Sequence, residues 1–158
     1  MNIALGSDHA GYEQKEKIYT LLQELGHTVR DYGCMTDAEP VDYPTIGDLV
    51  SKALYAGAFD RAILVCGTGL GMAIVANRLD GLRAVPVTTV EFAHLARQHN
   101  DANILCLSGR FVDWETNKAI VEEFLNTEFE GGRHAVRVAM IDGEIPPDIL
   151  AKNGCACG

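Results

Sequence analysis

Short apolar runs alternate with helix-length amphipathic segments along most of this chain. Ile3 to Gly6 reads as a first strand. Gly11 to Leu25 reads as a helix with apolar positions at Ile18, Leu21, Leu22 and Leu25, and Gly26 stops it. Thr28 to Tyr32 is a second strand, and Tyr43 to Tyr55 a helix with Pro44 in its first turn. Ala62 to Cys66 is a third strand, buried on both faces, followed by a glycine loop and a helix from Met72 to Asn77. Leu82 to Val87, Glu91 to Gln98, Asn103 to Ser108 and Val112 to Leu125 continue as strand, helix, strand, helix. Strictly alternating elements predict parallel βαβ units with right-handed crossovers. The expected fold is α/β, with an open, doubly wound, five-stranded parallel sheet.

Three stretches fall outside that alternation. Gly33 to Asp42 is a polar loop long enough to line a site or lie flexible. Glu130 to Ile141 carries basic residues on a short helix. Residues 1–142 then form one domain, and 143–158 a C-terminal tail, poorly ordered or packed on a neighbouring subunit.

Composition narrows the function classes. The chain has 158 residues, 47% of them hydrophobic, enough for an ordinary globular core. A formal net charge of −9 argues against a nucleic-acid partner, which calls for a basic stripe. No stretch approaches the ~18 apolar residues of a membrane span, so no membrane partner is expected. Met1 to Gly6 is strand-like and has no basic n-region, so a secretory signal is not expected. Five cysteines, Cys34, Cys66, Cys106, Cys155 and Cys157, follow no disulfide spacing, which favours a reduced, cytoplasmic chain. Cys155 and Cys157 offer two ligands at poor zinc spacing, so no metal is expected.

The candidate chemistry gathers at strand ends, where open parallel sheets bind ligands. Cys66 closes the third strand and leads into Gly67-Thr68-Gly69-Leu70-Gly71. A lone cysteine is more often a small buried hydrophobe. On the lip of a glycine loop facing a helix N-terminus, it becomes a reactive thiol beside an anion or oxyanion cradle. The loop is not the dinucleotide fingerprint, which needs G-x-G-x-x-G after the first strand, so no nicotinamide cofactor is expected. The first strand delivers Ser7-Asp8-His9-Ala10-Gly11 and the fifth Ser108-Gly109-Arg110. Asp8 could simply cap the helix that follows, but capping does not need His9.

His99-Asn100-Asp101 precedes the fifth strand, which sets it at the amino edge of the sheet, opposite Cys66. If His99 works with Cys66, it reaches the site from a neighbouring subunit, and a two-fold dimer becomes a requirement. Arg133 and Arg137 stand four apart beside Gly131-Gly132, as a solvated basic patch or as a phosphate clamp.

Six motifs in order are similar to the ribose-5-phosphate isomerase B family, which includes galactose-6-phosphate isomerase subunits. They are Gly6-Ser7-Asp8-His9-Ala10-Gly11, Asp42-Tyr43-Pro44, Cys66 to Gly71, Gly81-Leu82-Arg83-Ala84, Arg97 to Asn103 and Glu130 to His134. The resemblance runs from Asn2 to Ile141. It implies a Rossmann-like three-layer αβα sandwich and a metal- and cofactor-independent aldose–ketose isomerase acting on a small sugar phosphate. It also implies a homodimer or tetramer with shared sites.

By that resemblance Cys66 matches the base moving a proton between C1 and C2, Thr68 the proton shuttle between O1 and O2, and His99 the residue assisting ring opening. Asp8, His9, Tyr43 and Asn100 match hydroxyl and phosphate-side contacts, and Arg110, Arg133 and Arg137 phosphate ligands. Gly67, Gly69 and Gly71 would hold the enediolate oxygen. Ala73 departs from a serine common in the family, and the loop Cys34 to Pro40 departs where sugar size could be read. Ribose 5-phosphate is the expected substrate; allose 6-phosphate, galactose 6-phosphate or a tetrose 4-phosphate is the rival. A cysteine hydrolase pairing Cys66 with His99, or a non-catalytic sugar-phosphate sensor, is the remoter alternative.

Overall fold

The computed structural model describes residues 1–144. Five strands, β1 (Asn2–Ser7), β2 (Thr28–Asp31), β3 (Arg61–Cys66), β4 (Ala84–Pro86) and β5 (Ile104–Ser108), pair in the order β2-β1-β3-β5-β4, every pair parallel. The helices are α1 (Tyr12–Glu24), α2 (Tyr43–Tyr55), α3 (Leu70–Ala76), α4 (Val90–Asn100), α5 (Trp114–Asn126) and α6 (Arg133–Ile141). The sheet has a core on each face. On one, Ile3, Leu5, Ile63, Val65, Leu105 and Leu107 pack against α1, α4 and α5. On the other, Ala4, Leu64, Cys66 and Cys106 pack against α2 and α3. This is the expected three-layer α/β sandwich.

β3 is buried at all six positions, as a central parallel strand between two helical layers must be. The alternation along it decides which residues meet which layer, and puts Cys66 on the α2/α3 side.

Several boundaries differ from the sequence reading. The fourth strand is only Ala84–Pro86: Leu82 and Arg83 are irregular backbone after the turn that ends at Gly81, and Arg83 N–H donates to the Asn103 side chain at 2.8 Å. The second strand ends at Asp31, before Tyr32. A single turn at His9–Gly11 precedes α1, so that helix starts at Tyr12. Helix α3 starts two residues early, at Leu70, and α5 two residues late, at Trp114, behind the cap Asp113. Helix α6 starts at Arg133, since Gly131 and Gly132 both take positive φ. The tail expected from 143 onward, with Cys155 and Cys157, lies outside the described residues from 145. Among the described residues no helix is long and apolar enough to cross a membrane.

Candidate active site

In the order β2-β1-β3-β5-β4, connections leave β1 and β3 in opposite directions, so the crevice opens above the carboxyl ends of those two strands. Those ends carry Ser7-Asp8-His9 and Cys66. Because β5 rather than β4 lies beside β3, Ser108-Gly109-Arg110 joins the same rim.

Hydrogen bonds interlock the three loops. Asp8 N–H donates to Val65 O at 3.3 Å, Gly109 N–H to Cys66 O at 2.8 Å and Arg110 N–H to Gly67 O at 3.3 Å. The buried Ser108 hydroxyl donates to Gly67 O at 2.8 Å and accepts Phe111 N–H at 3.0 Å. A Cβ on Gly109 would stand 2.5 Å from Ala10 O, so the first and fifth loops touch backbone to backbone.

Cys66 is buried, and its Sγ accepts Gly69 N–H at 3.1 Å. That bond exists because Gly69 takes φ +80, a left-handed turn that aims its N–H back at the sulfur; a side chain there would also press on Cys106 O. Thr68 is exposed at the loop tip, its Oγ1 accepting Leu70 N–H at 3.3 Å. The Tyr43 ring covers Gly71 so closely that a Cβ would meet it at 2.6 Å. The Arg110 side chain lies over Gly67. Asp8 is buried and accepts Gly11 N–H at 3.0 Å, so it does cap the turn before α1. His9 sets Nδ1 3.3 Å from both the N and the O of Val41. Cys66, Thr68, Gly67, Gly69, Gly71, Asp8, His9, Tyr43 and Arg110 thus form one cluster.

A second thiol shares that side of the sheet. Burial pushes the Cys106 thiol well up, and the neighbouring Cys66 adds to the shift. Cys106 therefore stays protonated in the core. Ala73 is buried on α3, in the side-chain cluster that also holds Cys66.

The remaining predicted residues lie elsewhere. Helix α4 runs back from the carboxyl edge and ends at Asp101 (φ +46), placing His99 and Asn100 at the amino edge. Ile104 pairs with Ala62 and Ser108 with Cys66, so four residues, about 13 Å of strand, separate that edge from the thiol. Within one chain Cys66 and His99 form no dyad. There the His99 and His134 rings stack with centroids 4.2 Å apart and planes 7° apart. Glu130 Oε2 lies 3.9 Å from Nε2 of each, and Glu130 N–H donates to Gln98 O at 3.0 Å. Arg133 Nε donates to His134 Nε2 at 3.3 Å, which assigns the His134 proton to Nδ1. Burial, with the positive charges of His99, Arg133 and Arg137, holds His134 below the ordinary histidine range, although Glu130 pulls the other way. Arg133 and Arg137 project from α6 into solvent. A cavity of about 470 Å³ opens beside Asn100, walled by Arg83 and Asp142.

His134 entered the sequence reading only as part of the Glu130 to His134 motif, and its stack on His99 was not foreseen. The signal was there: His134 lies between the two arginines. Among the described residues one group of three potential metal ligands converges, His99, Glu130 and His134, with ligand atoms within 4.8 Å of one another. Parallel stacked rings point their in-plane lone pairs side by side, not at a shared point, and Arg133 already donates to one of them. The donor set fits a stacked pair better than a metal centre.

Comparison with known proteins completes the site's setting. The family model described as Ribose/Galactose Isomerase matches residues 3–141. Ribose-5-phosphate isomerase B of Escherichia coli is 43% identical over 139 residues, 88% of this chain and 93% of that protein. D-erythrulose-4-phosphate isomerase of Pectobacterium atrosepticum is 38% identical, over 89% of this chain and 93% of its own. The crystal structure of ribose-5-phosphate isomerase B from Mycoplasma genitalium with bound ribulose 5-phosphate superposes with a TM-score of 0.84. It is 42% identical and covers 90% of this chain and 94% of that one.

Proposed function

Since the chain belongs to the Ribose/Galactose Isomerase family, we propose that it interconverts ribose 5-phosphate and ribulose 5-phosphate through an enediolate. Family membership makes it an isomerase acting on sugars. The finer reading rests above all on one observation: Cys66 Sγ receives the Gly69 N–H on the rim where the three loops interlock.

Proton transfer α to a carbonyl needs a base at the carbon and donors at the oxygen that gains charge. Cys66 acts as a thiolate and removes the C2 proton of the open-chain aldose; the Gly69 N–H stabilises negative charge on its sulfur. The electron pair left on carbon forms the C1–C2 double bond, and O1 becomes the enediolate oxygen, held by backbone N–H groups of the loop Gly67 to Gly71. Thr68, exposed at the tip, passes a proton between O2 and O1. The thiol then returns its proton to C1, which gives the ketose with no net change in atoms. Tyr43, Asp8 and Asn100 hold the sugar hydroxyls, and the phosphate sits among His9, Arg110, Arg133 and Arg137. Binding the phosphate away from the reacting carbons orients the sugar.

His99 assists opening of the furanose ring, and here the two clusters matter. In one chain His99, Asn100, Arg133 and Arg137 lie at the edge opposite Cys66. A homodimer in which each subunit's amino edge faces its partner's glycine loop would complete two sites at once. Leu70 and Ile74, four apart on α3 and 56% and 71% exposed, give apolar surface beside the loop for such a contact. Membership of a family of isomerases disfavours a cysteine hydrolase pairing Cys66 with His99.

The D-erythrulose-4-phosphate isomerase relative keeps a tetrose phosphate as the second reading. Comparing kcat/KM on four-, five- and six-carbon aldose phosphates decides between them. Preference for ribose 5-phosphate supports the proposal; preference for a tetrose or hexose overturns it. Binding of sugar phosphates with turnover of none would make the protein a sensor.

A further inference from the structure

A fully buried lysine sits under the first of the three loops and takes no part in the chemistry above. Lys15 lies on α1, and its side chain has no exposed surface. Its Nζ meets Asp31 Oδ2, Glu16 Oε1 at 2.9 Å and Cys34 O at 3.0 Å. A buried ammonium survives only with such partners. Burial works against its charge, yet the bonds to Asp31 and Glu16 outweigh it and hold the pKa above the usual lysine value.

Two of those partners, Asp31 and Cys34 O, act on one segment. Asp31 Oδ1 also accepts Gly33 N–H at 2.8 Å, and Cys34 N–H donates to Ser7 O at 3.0 Å. Gly33 is pressed between Ser7 and Lys15: a Cβ there would stand 2.5 Å from Ser7 N and 2.9 Å from Lys15 Cδ. The chain then crosses six consecutive exposed residues, 35–40, and returns at Val41, whose backbone touches His9 Nδ1. The strap 33–42 is therefore tied at its start beside Ser7 and at its end on His9, two residues along the same loop.

We propose that Lys15 is a positioning residue: by fixing the start of this strap it sets where Val41 holds His9, and so how well the site takes the phosphate end of the substrate. The inference deepens the reading of His9 as a phosphate-side contact and rests on it. An uncharged chain at 15 leaves Cys34 O and Asp31 without their common donor, frees the strap and lets His9 swing. Affinity falls while Cys66, carried by β3, is untouched.

Two variants test it, Lys15→Met and Asp31→Asn, the second cutting the same knot with a nearly isosteric change. Each should raise KM for the sugar phosphate and weaken binding of inorganic phosphate, measured by calorimetry, about tenfold, with kcat within about threefold of the parent. Both should shift the His9 ring resonances in a nitrogen–proton correlation spectrum. Lys15→Arg, which keeps the charge and the donors, should recover at least part of the affinity. Unmoved KM and His9 resonances beside a lower melting temperature would reduce Lys15 to a fold anchor and overturn the proposal. Should Lys15→Met not fold, the Asp31→Asn result decides alone. The phosphate and His9 readouts need no turnover. If the parent binds phosphate but isomerises nothing, the isomerase reading fails while these still judge Lys15.

Discussion

The imidazoles of His99 and His134 lie 4.2 Å apart with their planes 7° from parallel, on the edge of the sheet opposite Cys66. A charge on His134 is disfavoured by its burial and by the positive groups around it. A histidine whose folded pKa is lowered is favoured unprotonated, so its contribution to stability is complete above the unfolded value, about 6.5. That contribution declines as pH falls below about 6.5 toward the folded value, because there the unfolded chain binds the proton more readily. The His134 resonances should thus titrate below 6.5 in a proton NMR titration, and Arg133→Ala should move the midpoint up. A midpoint above 6.5 would mean that Glu130 dominates instead.

Mixed dimers test the sharing of sites. A Cys66→Ala chain paired with a His99→Ala chain builds one site with both groups and one with neither. Each purified heterodimer should recover about half the parental turnover, while both homodimers stay impaired. No recovery would put His99 in the same chain's site.

Gly69 combines a left-handed backbone with a close approach to Cys106 O, so a side chain there is strained. Gly69→Ala must hold a Cβ at φ +80 and 3.1 Å from Cys106 O, and should lose about 1–3 kcal/mol of stability in a denaturant titration. Turnover should fall further than KM rises, since the N–H aimed at Cys66 moves with the backbone.

Ser108 ties the thiol's loop to the loop of Arg110 through Gly67 O. Ser108→Ala leaves that carbonyl with the Arg110 N–H alone and should lower stability by about 1 kcal/mol. If the tie aligns the phosphate with the reacting carbons, kcat should drop about tenfold. An unchanged kcat would show that the two loops hold their places separately.

Much of this was legible in the sequence because it is local. The apolar run Arg61 to Cys66 and the glycines after it announce a buried strand and a tight turn wherever they occur. Helix α2 has the bounds its pattern predicts, Tyr43–Tyr55, fixed by Pro44 and the amphipathic period. The exchange of β4 and β5 in the sheet was not legible, since strand order is a tertiary choice that no local period encodes. Yet it is that exchange which brings Arg110 beside Cys66. Lys15 does not figure among the residues that the sequence pattern singles out. Its spacing to Ile18 and Leu22 puts it on the apolar stripe, and that is where burial could have been read. The His99–His134 stack joins residues far apart in the chain through an aromatic contact, which sequence spacing does not reveal.

The central claim is that Cys66 moves the substrate proton between carbons. Isomerisation of ribose 5-phosphate in heavy water, followed by proton NMR, compares the parent with Cys66→Ala while binding of a sugar-phosphate inhibitor is measured alongside. The parent should interconvert aldose and ketose with deuterium entering at C1 or C2. The Cys66→Ala variant should bind the inhibitor within about threefold of the parent and lose at least about a thousandfold in both turnover and exchange. Near-parental isomerisation by Cys66→Ala would contradict the account and assign the proton transfer to another group.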